Sequence, residues 1–210
     1  MRRRIVWGVP AVLYALFCFW YTDCGGPLRA DEIERYVTAF EGQGASAEQL
    51  AGVRRFLEAD SGRQFLMVNV MDMADDPPDV EGAAPGESAQ QLMNRYMEHM
   101  YRELLRRACH PVLMGLAVNR SMDLVGIEGA EEWTMAALMR WRSRRTMMEI
   151  VLHPEMRGRH AFKVAALDKT IAFPIETQLY LSDLRFLLGL MLLSGASLAH
   201  IATAGRRSQR

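Results

Sequence analysis

The feature that most constrains this chain is an apolar run at each end, tipped with arginine. Ile5 to Tyr21 carries no formal charge and follows Arg2, Arg3 and Arg4, while Phe186 to Ala204 carries none and precedes Arg206, Arg207 and Arg210. A helix needs about 20 residues to cross a bilayer. The first run ends in Phe17, Phe19, Trp20 and Tyr21, the aromatics expected at a membrane–water interface. Tyr21-Thr22-Asp23 lacks the small residues of a signal cleavage site, and Asp23 before Cys24 does not suit a lipoprotein signal. The run therefore reads as an uncleaved anchor. Ser194, Ser197, His200 and Thr203 interrupt the second run, which reads as a span or as an interfacial helix. Gly195, Ala199 and Thr203 recur every four residues, a small-residue seam that Ala11 and Ala15 could face on the first run.

Basic short flanks place both termini in the cytoplasm of a cell (inner) membrane, which puts residues 22–185 on the extracytoplasmic, periplasmic side. The overall formal charge is zero. Without the six tip arginines the interior carries about −6, and an acidic body lacks the basic footprint that nucleic-acid binding requires. Cys18, Cys24 and Cys109 make no metal-binding spacing. An extracytoplasmic body leaves both a Cys24–Cys109 disulfide and two free thiols open.

Between the runs the pattern is α+β. Ile33, Tyr36, Val37 and Phe40 line one helix face. Ser46 with Gln49 opens a second helix carrying Leu50, Val53, Phe56 and Leu57, so the two form a helical hairpin. Phe65–Met73 reads as a strand, 74–86 as a loop, and Ser88 with Gln91 as the start of an amphipathic helix that His110-Pro111 stops. Val112–Val118 is a second strand, Leu124–Ile127 a short return, and Trp133–Trp141 a third strand. Ser143 caps a helix broken at His153-Pro154, and Lys169–Phe173 is a last strand ended by Pro174. The order β-α-β-β-α-β is the ferredoxin-like arrangement. The expected organisation is an anchor over 1–22, a hairpin over 28–60, the ferredoxin-like domain over 63–178 and a membrane helix over 184–205.

Met67-Val68-Asn69, the Met139 to Arg145 segment, Leu152-His153-Pro154-Glu155 and Lys169 to Pro174 resemble uncharacterised bacterial proteins of the dimeric α/β-barrel superfamily. The resemblance covers about residues 63–176. It implies a homodimer through the sheet, two sheets closing into a barrel. Its members include cofactor-free monooxygenases, haem-degrading enzymes, muconolactone-type isomerases and plain ligand binders, so the fold does not choose an activity.

Five residues stand out as candidates for binding. Asn69 is the neutral polar residue of the first strand, either a pocket-lining amide or a structural one. Arg140 shares a strand face with Thr134 and Leu138, placed to meet an anionic ligand or to reach water past the strand end. Arg142, Arg144 and Arg145 surround a helix start, where free N–H groups attract phosphate, carboxylate or lipid headgroups. No glycine-rich loop accompanies them, so a solvated or acid-paired turn is the alternative. The histidines form no metal-ligand spacing, no catalytic constellation is visible, and neither metal nor cofactor is implied. The methionine stripe Met93, Met97 and Met100 reads as core. The expected function is a membrane-anchored binding domain for a small apolar or anionic ligand or a partner. A cofactor-independent monooxygenase or isomerase, and a structural subunit of a membrane complex, are the alternatives.

Overall fold

The computed structural model describes the backbone of residues 2–208 and the side chains of 4–204, in two compact units, 1–24 with 177–210 and 25–176. The tip arginines Arg2, Arg3, Arg206, Arg207 and Arg210 lie outside the described side chains.

The first unit holds the helices α1 (Arg2–Tyr21) and α7 (Leu184–Ser208). Within them Arg4–Tyr21 and Leu184–Ala204 are long and apolar enough to cross a membrane, and only 6% of each window is buried, unlike the core helix of a soluble protein. The helices run antiparallel. Trp7 Nε1 donates to His200 Nδ1 at 3.4 Å near one end. Near the other, Arg185 lies over the Tyr21 ring and donates to Thr22 Oγ1 at 3.0 Å. Asp183 Oδ1 accepts the Arg185 backbone N–H at 2.9 Å and its Nε–H at 3.0 Å, so one carboxylate caps the helix and holds the guanidinium.

The seam between these helices differs from the one expected. Gly195, Ala199, Ala11 and Ala15 face outward. The contact runs instead along Gly189, buried Ala196 and half-buried Thr203, with His200 beside Trp7. A Cβ on Gly189 would sit 3.3 Å from the Tyr14 ring. The seam follows a spacing of seven, which keeps small residues facing one neighbour over several turns, whereas a spacing of four drifts around the helix.

The second unit is α+β. The helices α2 (Ala30–Glu41) and α3 (Ala47–Glu58) precede β1 (Phe65–Met73), α4 (Ala89–Arg106), β2 (His110–Leu116) and β3 (Met135–Trp141). Then come α5 (Arg144–Val151), a 3₁₀ turn at Pro154–Met156, α6 (His160–Ala165) and β4 (Leu167–Ile175). The strands form one antiparallel sheet in the order β2-β3-β1-β4. Both capping boxes read from the sequence are made: Ser46 and Ser88 side chains accept from Gln49 and Gln91 N–H, and each glutamine bonds back. Leu124–Ile127 forms no strand. β4 runs on through Pro174, because β4 is an edge strand and an edge tolerates a residue without an N–H.

Strand alternation gives the sheet two faces. Phe65, Met67, Met139 and Trp141 point to the side covered by α4 and α5, and pack with Met100, Leu104, Cys109, Ile150 and Met156. Met73, Leu92, Met93, Ala165 and Ala166 continue this layer toward α6. The α2–α3 hairpin lies on the outer side of α5, where Ile33, Tyr36, Val37 and Leu57 surround Met148. Burying each such side chain contributes about 1.5–3 kcal/mol.

Two adjacent arginines at the start of α5 fasten the hairpin. Arg145 binds both oxygens of buried Glu32 at 2.9 and 3.2 Å and donates to the Gly26 carbonyl at 3.2 Å. Arg144 lies over the Phe56 ring, donates to the Phe56 carbonyl, and reaches Asp60 at 3.6 Å and Glu176 at 3.3 Å. Asp60 also accepts from Leu28 N–H at 2.9 Å. The chain crosses itself tightly here: a Cβ on Gly62 (φ +71°) would lie 2.6 Å from the Gly26 and Pro27 backbone. Only glycine fits.

Arg145→Ala should cost about 3 kcal/mol in urea unfolding of the detergent-solubilised protein, because it takes the main cation from a buried carboxylate. The Arg145 bond, helped by the Arg29 N–H, holds the Glu32 carboxyl down from its ordinary 4.5 to about 2. A depressed folded-state value means that this stability is complete above the unfolded value and is lost as pH falls from 4.5 toward 2. The unaltered protein should lose stability across that window more steeply than Glu32→Gln does.

Candidate functional site

Within its unit, none of the helices that pack the first face covers the second, although Leu66 and Arg140 in its far row are buried. Cross-strand pairing arranges it in rows. Lys169 pairs with Asp72 at one end. The middle rows are Ile171, Val70, Ala136 and Gly115, then Phe173, Val68, Leu138 and Leu113. Ile175, Leu66, Arg140 and His110 form the far row. None of Val68, Val70, Ala136, Leu138, Ile171 and Phe173 joins the packed clusters beneath the helices. Leu113, Phe173 and Ile171 are 57, 46 and 37% exposed, which an isolated sheet face in water would not favour. The α2–α3 hairpin could have filled this face, but its apolar residues go to α5.

The floor is apolar and both ends are polar. At one end Thr134 Oγ1 donates to Asp72 Oδ1 at 2.9 Å, and Lys169 Nζ stands 3.5 Å from Asp72 Oδ2. The same ammonium donates to the Gly129 carbonyl at 2.6 Å and lies 5.0 Å from the centre of the Trp133 ring. At the other end Arg140 is fully buried, its Nε–H donating to Gln64 Oε1 at 2.9 Å and a terminal N–H to the Ala108 carbonyl. Such a surface suits an apolar body with a charged or polar end.

The five residues singled out from the sequence are dispersed. Asn69 lies on the helix-covered face, and its amide donates to the Met67 and Ala137 carbonyls at 3.1 and 3.4 Å. It therefore does not meet Arg140, which is on the other face. Arg142 is half-buried, its Nε–H 3.3 Å from Thr146 Oγ1 and its backbone N–H 3.3 Å from Cys109 Sγ. Arg144 and Arg145 are committed to Asp60, Glu176 and Glu32. Ser143 Oγ takes the Thr146 N–H at 3.1 Å at the start of α5. Arg144 and Arg145 of the basic turn are thus acid-paired. A sequence shows where the arginines fall, but not the carboxylates that a fold brings to them from 84 or 113 residues away.

Asp72, Thr134, Lys169 and Trp133 did not emerge from the sequence. The available signal was Asp72 in β1 and Lys169 in β4, charges of opposite sign that strand pairing places opposite each other. All three cysteines are free thiols. Burial pushes the Cys109 thiol up to about 11, so it is protonated at neutral pH. Among the described residues no three of His, Cys, Asp and Glu gather as a metal site.

No family model matches this chain, and no curated protein matches it. Among solved structures, RPA0582, a protein of unknown function from Rhodopseudomonas palustris, is similar at a TM-score of 0.51 and 16% identity, over 65% of this chain and 96% of that one. The methylated form of RPA0582 gives a TM-score of 0.52 at 16% identity, over 64% of this chain and 93% of that one. At such identities the likeness speaks to the fold alone.

Arg140→Ala should lower stability by about 2–3 kcal/mol, because Gln64 and the Ala108 carbonyl lose their buried donor. Equilibrium denaturation of the two proteins side by side measures this, and Arg140→Lys should recover only part of the loss.

Proposed function

We propose that this is a bacterial inner-membrane protein whose extracytoplasmic domain binds through the open face of its sheet. Two copies set their faces together, and the space between receives a small apolar or anionic ligand. The observation that carries this reading is the uncovered apolar floor of Val68, Val70, Ala136, Leu138, Ile171 and Phe173, in a domain whose helices all lie elsewhere. Burying such a floor removes apolar area from water, the main driving force for association. The half-buried Lys169 ammonium at one end supplies the charge an anionic ligand needs.

The same reading names the fold ferredoxin-like and of the dimeric α/β-barrel type. Its support is the β-α-β-β-α-β order with β1 and β3 central and β4 beside β1, which that arrangement requires. The topology we propose has both termini in the cytoplasm and residues 22–185 outside. It rests on the antiparallel pairing of α1 with α7, which puts both termini at one end, and on the arginines that tip both runs.

Sedimentation of the full-length protein in detergent should find a dimer. Phe173→Glu places a carboxylate on the β4 side of the floor, beside Val68, and should weaken pairing by roughly tenfold or more without lowering the melting temperature. A monomer in the unaltered protein, or a dimer indifferent to Phe173→Glu, rejects the reading. A reporter fused at Gly86 should report the outer compartment, and one after Arg210 the cytoplasm.

A further inference from the structure

The connection between β2 and β3 is long for a hairpin. It runs over residues 117–134, a length at which loops usually carry a function. Its base is built. Ala117 N–H donates to the Thr134 carbonyl at 2.9 Å, Ser121 N–H to the Glu131 carbonyl at 2.8 Å, and Ser121 Oγ to the Ala130 carbonyl at 2.7 Å. Trp133 Nε1 donates to the same Ala130 carbonyl at 2.9 Å, and Arg120 pairs with Glu132. Above this neck the tip is bare and aliphatic. Val118, Met122 and Val125 are 100, 92 and 84% exposed, and Leu124 and Ile127 are exposed as well. No residue of the tip joins any packed cluster. A neck ordered in advance, carrying apolar residues that join no packed cluster, has the form of a docking element whose ordering cost is already met.

We infer that this finger grips a second copy of the chain, an inference that rests on the paired-sheet reading above. Continuity is the first argument. The finger's returning limb adjoins the open face directly, through the Gly129 carbonyl on Lys169 Nζ and the Trp133 ring beside the same ammonium. It therefore stands as a rim at the polar end of the apolar floor. Area is the second. Four strands of this length present a face of roughly 19 by 25 Å, or on the order of 500 Å². A stable interface buries about 800 Å² per partner. The floor alone falls short, and five aliphatic side chains on an adjoining rim supply the missing contact. Charge is the third. The finger carries Asp123, Glu128, Glu131 and Glu132 against the single base Arg120, which disfavours an anionic lipid surface and suits an apolar protein groove. In a two-fold pair each copy's rim would reach the flank of the other, so the contact is made twice.

The test uses the full-length protein in detergent micelles and the triple variant Met122→Ser/Val125→Ser/Ile127→Ser. These side chains touch no core, so melting should be unchanged, while the dimer dissociation constant should rise roughly tenfold or more by sedimentation. An unchanged dissociation constant, with Phe173→Glu still separating the copies, overturns the finger's role and leaves the paired sheets standing. If Phe173→Glu also leaves the dimer intact, the paired-sheet reading fails and the finger falls with it. A second measurement reports a lipid occupant. A fluorophore on Val125→Cys, in a Cys18→Ser/Cys24→Ser background, should not be quenched by brominated phosphatidylcholine in a reconstituted bilayer. Quenching there assigns the tip to lipid and overturns the inference.

Discussion

The α+β unit depends on two neighbouring guanidinium groups at the start of α5. Arg145 holds Glu32 of α2, and Arg144 holds Asp60 beyond α3 and Glu176 beyond β4. Three separate parts of the chain therefore meet at one helix start. Buried ion pairs often add little net stability, because desolvation offsets attraction. Their effect here is specific: each arginine is satisfied by several partners at once, including backbone carbonyls, and only one docking of the hairpin provides them all. The apolar contact of Ile33, Tyr36, Val37 and Leu57 with Met148 supplies the driving force, and the arginines select the register in which it is spent.

That docking has a consequence for the sheet. An apolar sheet face is costly to leave in water, and the α2–α3 hairpin has an apolar side that could have covered it. Because the arginines hold it against α5, the second sheet face stays open, with an apolar floor between a Lys169–Asp72–Thr134 group and buried Arg140. The polar ends are themselves well bonded, so the face is shaped before anything binds.

Much of this was legible in the residues. Capping boxes at Ser46 and Ser88, alternation in β1 and β3, the break at His153-Pro154 and the two apolar helices all rest on local rules, and each element formed where its pattern lay. The errors have local reasons too. Pro174 ends a central strand but not an edge strand, and Leu124–Ile127 has the apolar look of a strand while having no partner to pair with. The small-residue seam lies on a side of α7 that excludes Gly195 and Ala199, since several faces of that helix carry small residues and only the neighbour selects one.

The chain by itself determined its elements, its class and its candidate membrane helices, because periodicity, capping and hydrophobic length act within a few residues. It did not determine the role of its arginines. Arg140, Arg144 and Arg145 look alike in one dimension, as cations near a helix start, yet one is sealed under the end of the sheet and two are tied to distant acids. The tertiary structure alone decided which charges are consumed internally and which apolar face is left without a partner. Both are properties of pairs far apart in the chain, and no local pattern encodes them.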